Sequence, residues 1–314
     1  MATTHTTSES FFPFARYTSI VGVHTTLLSF TALFLPRTTL LLDLAPSPTA
    51  TSLDRPQHPF LEALTARPAL TLACLCTGAA LLQSWWAGWV RSWGAQYAMR
   101  GSDDERRLET AALDGARGKA LRGAALTTLV ASVILHAVLV LFGAPLTTHI
   151  PHTYLLALLL ALLTLFPPAY ALGPPTRTST THFTWVRLFA QGSIRNPIER
   201  ALVYPALGAA LGCWAGTIPL ALDWDRPWQA YPLPPAYGAL AGHILASIAA
   251  LTATGTFALA EEGMRAAAAE AEAEADARGR QQTRSRTKNG AGNADRSGER
   301  GGRGRGKGKG RKEL

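Results

Sequence analysis

Cysteine is scarce in this sequence of 314 residues: there are three, Cys74, Cys76 and Cys213. Their odd number, and their position inside apolar stretches, argues against a disulfide framework and predicts buried, unreactive thiols. Charged residues make up only 16% of the chain and lie mostly at its ends and in a few connections. The helices of a water-soluble domain need a charged face, which these apolar stretches lack, so a soluble fold is excluded.

The usual catalytic motifs are missing as well. The chain has no defensible Ser-His-Asp spacing, no phosphate-binding glycine loop and no Cys/His metal pattern. No clear small-residue cleavage site follows the first apolar run, so no cleaved signal peptide is predicted. We therefore expect no catalytic residue, no cofactor and no metal in this chain.

Six apolar stretches are present instead, each close to the ~20 residues that cross a bilayer as a helix. They lie at about 17–35, 68–90, 123–142, 152–172, 201–222 and 236–260. We predict an all-α integral membrane protein, a six-transmembrane-helix bundle with a disordered basic C-terminal tail. The predicted divisions are a disordered N-terminus at 1–16, a membrane domain at 17–260, an Ala/Glu-rich helical extension at 261–278 and a disordered basic tail at 279–314.

Basic residues predict the orientation of the bundle. They are concentrated in the connections 91–122 and 173–200 and in the tail, which the positive-inside rule places in the cytosol with both termini. The Gly/Arg composition of the tail suits single-stranded nucleic acid, but attraction to the anionic cytosolic leaflet explains it better, so we expect no nucleic-acid partner. Trp85, Trp86, Trp89 and Trp93 are predicted to form an aromatic belt at the membrane surface.

Glycines four residues apart mark the last two spans. Glycines at this spacing share one helix face and let a neighbouring backbone approach closely. The segment between the two helices combines three charges with two tryptophans, so we predict a transmembrane hairpin with a polar tip that faces the lumen or exterior. The packing glycines are Gly208, Gly212, Gly216, Gly238 and Gly242, and the tip is Asp223, Trp224, Asp225, Arg226, Pro227, Trp228 and Gln229.

The tip admits a second interpretation. Asp223 and Asp225 bracket one residue, an arrangement that binds a divalent metal and a diphosphate in many glycosyltransferases. The chain would then be a multispan membrane transferase. No large lumenal domain is available to hold a donor and an acceptor, and Arg226 can neutralise either carboxylate. We favour a structural or docking turn and keep the metal site as the alternative.

Histidines occur inside three predicted spans, where ionisable residues are costly. Three imidazoles can bind a metal, but His24 is predicted in the cytosolic half of its span, and His136 and His243 in the lumenal half. We therefore expect separate histidines that bond between helices. A polar cluster at the start of the fifth span is predicted to anchor that helix at the headgroups or to contact lipid or a partner. The residues considered for lipid or partner contact are Arg195, Asn196, Glu199, Arg200, His136 and His243.

The hairpin resembles the signature region of the PIG-F family of glycosylphosphatidylinositol (GPI) anchor biosynthesis. The tip, with the Pro232, Tyr237 and Gly238 that follow it, carries the resemblance. Leu165-Phe166-Pro167-Pro168 and Leu172-Gly173-Pro174-Pro175 are similar to the fungal branch of that family.

The resemblance implies a multi-pass endoplasmic reticulum membrane protein that is not itself an enzyme. It would bind and stabilise a large ethanolamine phosphate transferase, as a heterodimer in which the partner carries the metal-dependent catalytic domain. That reaction moves ethanolamine phosphate from phosphatidylethanolamine to the mannoses of the GPI precursor. A subunit that presents phosphatidylethanolamine or the GPI precursor between its helices is the remaining alternative.

Overall fold

A computed structural model describes residues 12–38, 59–98, 111–112, 115–176, 180–222 and 224–299. Within these ranges the chain forms helices and turns with no strand, and six helices are long and apolar enough to cross a membrane. The predicted all-α membrane class with six spans is therefore confirmed. The chain divides into two compact units, Met1–Gly255 and Thr256–Leu314, and the bundle belongs to the first.

The described residues form nine α-helices. In chain order they are α1 (Phe14–Phe34), α2 (Pro59–Thr65), α3 (Pro68–Ala98), α4 (Arg117–Leu141), α5 (Ile150–Thr164), α6 (Phe166–Leu172), α7 (Thr180–Trp185), α8 (Pro197–Ala215) and α9 (Leu233–Glu299). A π-helix at Val186–Ala190 follows α7, and 3₁₀ turns lie at Leu35–Arg37, Ile218–Ala221 and Pro227–Gln229. Helices α5 and α6 together form the fourth span.

Helix α5 is the centre of the bundle. Its leucines, among them Leu156, Leu159 and Leu163, are buried against side chains from α1, α3, α8 and α9. The helix is interrupted before α6 because Pro167 and Pro168 have no N–H to bond to the preceding turn. An almost entirely aliphatic helix without charges is expected at a site buried on all sides.

The prediction that four tryptophans of α3 form an aromatic belt is wrong for two of them. Trp86 and Trp93 are 2% and 3% exposed and pack against Tyr17 of α1, with ring centroids 6.2 and 5.8 Å away. They are seven residues apart, two helical turns, so both project from the same face of α3. Trp85 is 39% exposed and Trp89 is half-buried, but the Trp85 ring centroid lies 6.5 Å from that of His24.

The predicted disorder of residues 1–16 is wrong for its last five residues. Phe12 packs edge-on against Tyr17, with ring centroids 5.4 Å apart, and helix α1 begins at Phe14. Aromatic contacts to the buried face of α1 order this stretch, because they remove large apolar rings from water. Residues 1–11 lie outside the described residues.

The second unit contains the end of α9. The helix continues to Glu299, whereas the sequence predicts a helical extension that ends at 278 and disorder from 279. An ion pair one helical turn apart crosses that boundary, Asp276 with Arg280 at 3.8 Å, and a second, Glu274 with Arg278 at 3.1 Å, lies directly before it. Such pairs support a solvent-exposed helix. Residues 300–314 lie outside the described residues.

Candidate functional site: a glycine-packed hairpin and its tip

Helices α8 and α9 pack backbone against backbone along a seam that contains all five predicted glycines. A Cβ placed on Gly212 would lie 2.9 Å from the carbonyl carbon of Gly238 and 3.0 Å from the Cα of Gly242. One placed on Gly216 would lie 2.7 Å from the Cα of Pro235. Since the obstructing atoms belong to the backbone, they cannot rotate away. We call this contact between α8 and α9 the glycine seam.

The side chain of Gln229 closes the tip. Its Nε2 donates hydrogen bonds to the carbonyl oxygens of Pro219 and Leu222, at 2.6 and 2.8 Å. Its Oε1 accepts a hydrogen bond from the Arg226 N–H at 2.8 Å. Gln229 belongs to the predicted tip, but its role as a clamp depends on carbonyl groups seven and ten residues away, which no local pattern indicates.

The clamped turn presents three exposed side chains. Trp224 is 49% exposed and packs against Trp228, with ring centroids 5.8 Å apart. Asp225 has the left-handed φ of +45° that Asp tolerates better than most residues, and it and Arg226 are exposed. Asp223 lies outside the described residues, so its pairing with Arg226 stays a prediction.

The described residues supply no additional ligands for a metal ion at the tip. They contain no group of three or more His, Cys, Asp or Glu side chains that could hold a metal ion. Because Asp223 is not among them, a metal on Asp223 and Asp225 also stays a prediction.

Other connections at this end of the bundle surround the tip. Helix α2 packs against the 3₁₀ turn Pro227–Gln229. The hydroxyl of Tyr231 is 2.9 Å from the Thr153 hydroxyl at the start of α5. Burial raises the pKa of Tyr231, which keeps this hydroxyl protonated and able to bond to Thr153. The tip is thus held by segments far from it in sequence.

At the opposite end of α8, the polar cluster is built around Glu199. Asn196 caps the helix by accepting the Glu199 N–H at 2.8 Å, and Pro197 occupies the first helical position, as predicted. The Glu199 carboxylate is buried and accepts from both Nη atoms of Arg187 and from the Arg195 N–H at 2.7 Å. The hydrogen bond to Glu199 raises the pKa of Arg187.

This arrangement turns Glu199 inward, not toward lipid or a partner as the sequence suggested. Arg200 also has an internal contact, from its Nη1 to the Thr254 hydroxyl at 3.1 Å, whereas Arg195 is exposed. Arg187 was not predicted to belong to this cluster, because it lies in the π-helix twelve residues before Glu199 and reaches it only through the fold.

The prediction that His24 and His243 lie at different depths is wrong. Their ring centroids are 5.8 Å apart, while His136 is elsewhere, beside Tyr154 at 6.1 Å. Helices α1 and α9 each begin three residues earlier than predicted, at Phe14 and Leu233. Each histidine is therefore ten residues into its helix, about 15 Å at 1.5 Å per residue, and two antiparallel helices bring both to the middle of the bilayer.

Comparison with known proteins agrees with the resemblance found in the sequence. Residues 56–251 match the model of the family described as "GPI biosynthesis protein family Pig-F", so the predicted family is confirmed. Glycosylphosphatidylinositol anchor biosynthesis protein 11 of Pyricularia oryzae is 42% identical over 122 residues, which are 39% of this chain and 42% of that protein.

Mammalian relatives match over a similar length. The "GPI ethanolamine phosphate transferase, stabilizing subunit" of Mus musculus is 33% identical over 116 residues, 37% of this chain and 50% of that protein. The Homo sapiens protein of the same name is 33% identical over 109 residues, 35% of this chain and 47% of that protein. The chain thus spans about half the length of the curated relatives it matches. No solved structure matches it.

The glycine seam predicts a strong dependence on side-chain size. We expect Gly212→Leu to destabilise the bundle by about 1–3 kcal/mol or more, the cost of overpacking a close contact. The control is Gly22→Leu on α1, since a Cβ at Gly22 would have nothing within 4 Å. Thermal unfolding of the purified protein in mild detergent measures both. Equal midpoints for Gly212→Leu and Gly22→Leu would contradict the seam.

The Glu199 cluster predicts that removing the carboxylate charge lowers the free energy of unfolding. In Glu199→Gln, Arg187 loses its ionic partner, and hydrogen bonds to charged groups are worth about 1.5–3 kcal/mol. The matched control is Glu261→Gln, whose exposed pair with Arg265 contributes less than about 1 kcal/mol. The same unfolding measurement applies. A Glu199→Gln midpoint as high as that of Glu261→Gln would show that the cluster does not stabilise the fold.

Proposed function

This chain belongs to the GPI biosynthesis protein family Pig-F, and from that premise we propose that it is a non-catalytic, stabilising transmembrane subunit of a GPI ethanolamine phosphate transferase. The observation that carries the proposal is the extent of the family match, 56–251, which includes the whole glycine seam and the tip. The names of the Mus musculus and Homo sapiens relatives support the stabilising role. The large partner subunit would perform the transfer to the mannoses of the GPI precursor.

A subunit of this kind stabilises its partner by mass action. Binding only the folded partner lowers the free energy of that state in proportion to the logarithm of the binding constant. A rigid binding surface binds more tightly, because less conformational entropy is lost on association. The glycine seam and the Gln229 clamp supply that rigidity.

We place the docking contact at the tip. Trp224 offers a large, half-exposed ring, and Arg226, two residues further along the chain, is also exposed. Tryptophan and arginine are over-represented among the residues that dominate protein–protein binding. The charge of Asp225 would then select a partner surface of complementary charge.

We further propose an endoplasmic reticulum location with both termini in the cytosol. The end of the bundle away from the tip is rich in basic residues, which favour the cytosolic side. The outward face of α4 is aliphatic and highly exposed, and we assign it to lipid acyl chains. The basic residues are Arg16, Arg91, Arg117, Lys119, Arg122, Arg187, Arg195 and Arg200, and the α4 face includes Leu126, Val130, Val133 and Ile134.

The docking proposal predicts the effect of changes at the tip. We expect Trp224→Ala and Asp225→Asn to reduce co-purification of the transferase subunit and its abundance in cells, because they remove the anchoring ring and the charge. Asn keeps the left-handed backbone of residue 225 accessible. The control is Phe183→Ala, which is also highly exposed, at 74%, but lies on α7 at the other end of the bundle.

Two outcomes would oppose docking at the tip. Tip variants that leave partner abundance and co-purification at the Phe183→Ala level would refute it directly. Asp225→Asn that abolishes product formation with association intact would instead favour the metal-site alternative. Phosphatidylethanolamine or GPI precursor retained by the chain without its partner would favour lipid presentation.

Orientation is testable with a membrane-impermeant maleimide on sealed microsomes. The three native thiols are buried, so an added cysteine at an exposed site reports its side. We expect Gln191→Cys to react at once, and Arg226→Cys to react only after detergent opens the vesicles. Immediate reaction at residue 226 with protection at residue 191 would invert the proposed topology.

A further inference from the structure

A cluster of buried polar side chains lies where α1, α3 and α9 meet. His24, Gln83 and His243 are each at most 1% exposed. Gln83 Nε2 is 3.0 Å from His243 Nε2. The His24 ring stacks on Trp86, with centroids 5.1 Å apart and planes 20° apart. The cluster lies at mid-bilayer, so neither bulk water nor lipid headgroups can satisfy its polar atoms.

Three atoms of this cluster are left without a hydrogen-bond partner. They are His24 Nε2, Gln83 Oε1 and His243 Nδ1, all buried. Exchanging the oxygen and nitrogen of the Gln83 amide would move the unsatisfied position within that amide and would not remove it. Buried polar atoms without a hydrogen-bond partner are strongly unfavourable in hydrocarbon, so His24 Nε2 on α1 and Gln83 Oε1 on α3 point to a polar occupant between these two helices.

The chemistry of the cluster favours a neutral occupant over a cation. Its ligating groups are two imidazoles and an amide, all uncharged in this setting, and the described residues form no group of three His, Cys, Asp or Glu side chains that could hold a metal. A cation buried without a counter-charge is very costly. A water molecule carries no such cost and typically satisfies two to four buried polar groups.

Hydroxyls close to the cluster are already engaged. The Ser247 hydroxyl donates to the His243 carbonyl at 2.7 Å, and the Thr25 hydroxyl donates to the Val21 carbonyl at 2.9 Å. Their protons are therefore directed to their own helices. These neighbours do not supply the missing donor to Gln83.

We propose that His24, Gln83 and His243 form an internal water-binding site. With the Gln83 amide donating to His243 Nε2, a water donates to Gln83 Oε1 and completes a second bond at His24 Nε2. The water then joins α1 to α3, and Gln83 joins both to α9. His243 directly follows Gly242, so the site connects α1 to the glycine seam.

X-ray radiolytic footprinting of the intact protein in detergent tests the site, because hydroxyl radicals form from internal water and oxidise the side chains beside it. We expect Trp86, although buried, to be oxidised at a rate approaching that of half-exposed Trp224. The reference is Trp185, which is 9% exposed and whose indole N–H donates to the Gly173 carbonyl at 3.0 Å. Oxidation of Trp86 no faster than that of Trp185 would overturn the proposal.

A substitution at Gln83 distinguishes one bridging water from general penetration of water into the bundle. Gln83→Met keeps the length of the side chain and removes the amide, so we expect Trp86 oxidation to fall to the Trp185 rate while Trp185 and Trp224 are unchanged. Undiminished Trp86 oxidation in a folded Gln83→Met protein would contradict the bridge. A stoichiometric metal that elemental analysis finds in the native protein and not in His24→Phe would show that the occupant is a metal ion and not water. If Gln83→Met does not fold, the native footprint alone decides.

Discussion

Direct contact between the backbones of α8 and α9 is the constraint on which the rest of the hairpin depends. In a bilayer, hydrophobicity does not drive helices together, so packing must come from close approach. Gly212, Gly238 and Gly242 permit that approach, since any Cβ on them would meet backbone atoms. The fixed separation of the two helices in turn limits the positions that the connecting tip can take.

The tip uses this constraint to hold a polar structure at the membrane surface. The side chain of Gln229 forms its hydrogen bonds with carbonyl groups and an N–H of the turn itself. Trp224, Asp225 and Arg226 are thereby presented outward on an ordered backbone. The stabilising role that we propose needs such a surface more than it needs a catalytic group, because its contribution is binding energy.

Polar groups inside the bundle are satisfied in different ways. Hydroxyls such as that of Thr128 bond to carbonyls one turn earlier in their own helix. The Glu199 carboxylate accepts hydrogen bonds from the Arg187 guanidinium and from the Arg195 N–H. The cluster of His24, Gln83 and His243 differs from both, because part of its bonding capacity has no partner in the protein. Each solution follows from the lack of bulk water in hydrocarbon.

The sequence alone determined the six spans, the glycine spacing and the family, because hydrophobic length, helical periodicity and an unusual tip motif are local properties. Only the tertiary structure decided that Trp86 and Trp93 are core residues and that His24 meets His243. It also decided that Arg187 pairs with Glu199. These outcomes depend on which helices become neighbours and where each helix begins, and a shift of three residues moves a side chain by nearly one turn. Local sequence patterns show neither which helices are neighbours nor the residue at which each helix begins.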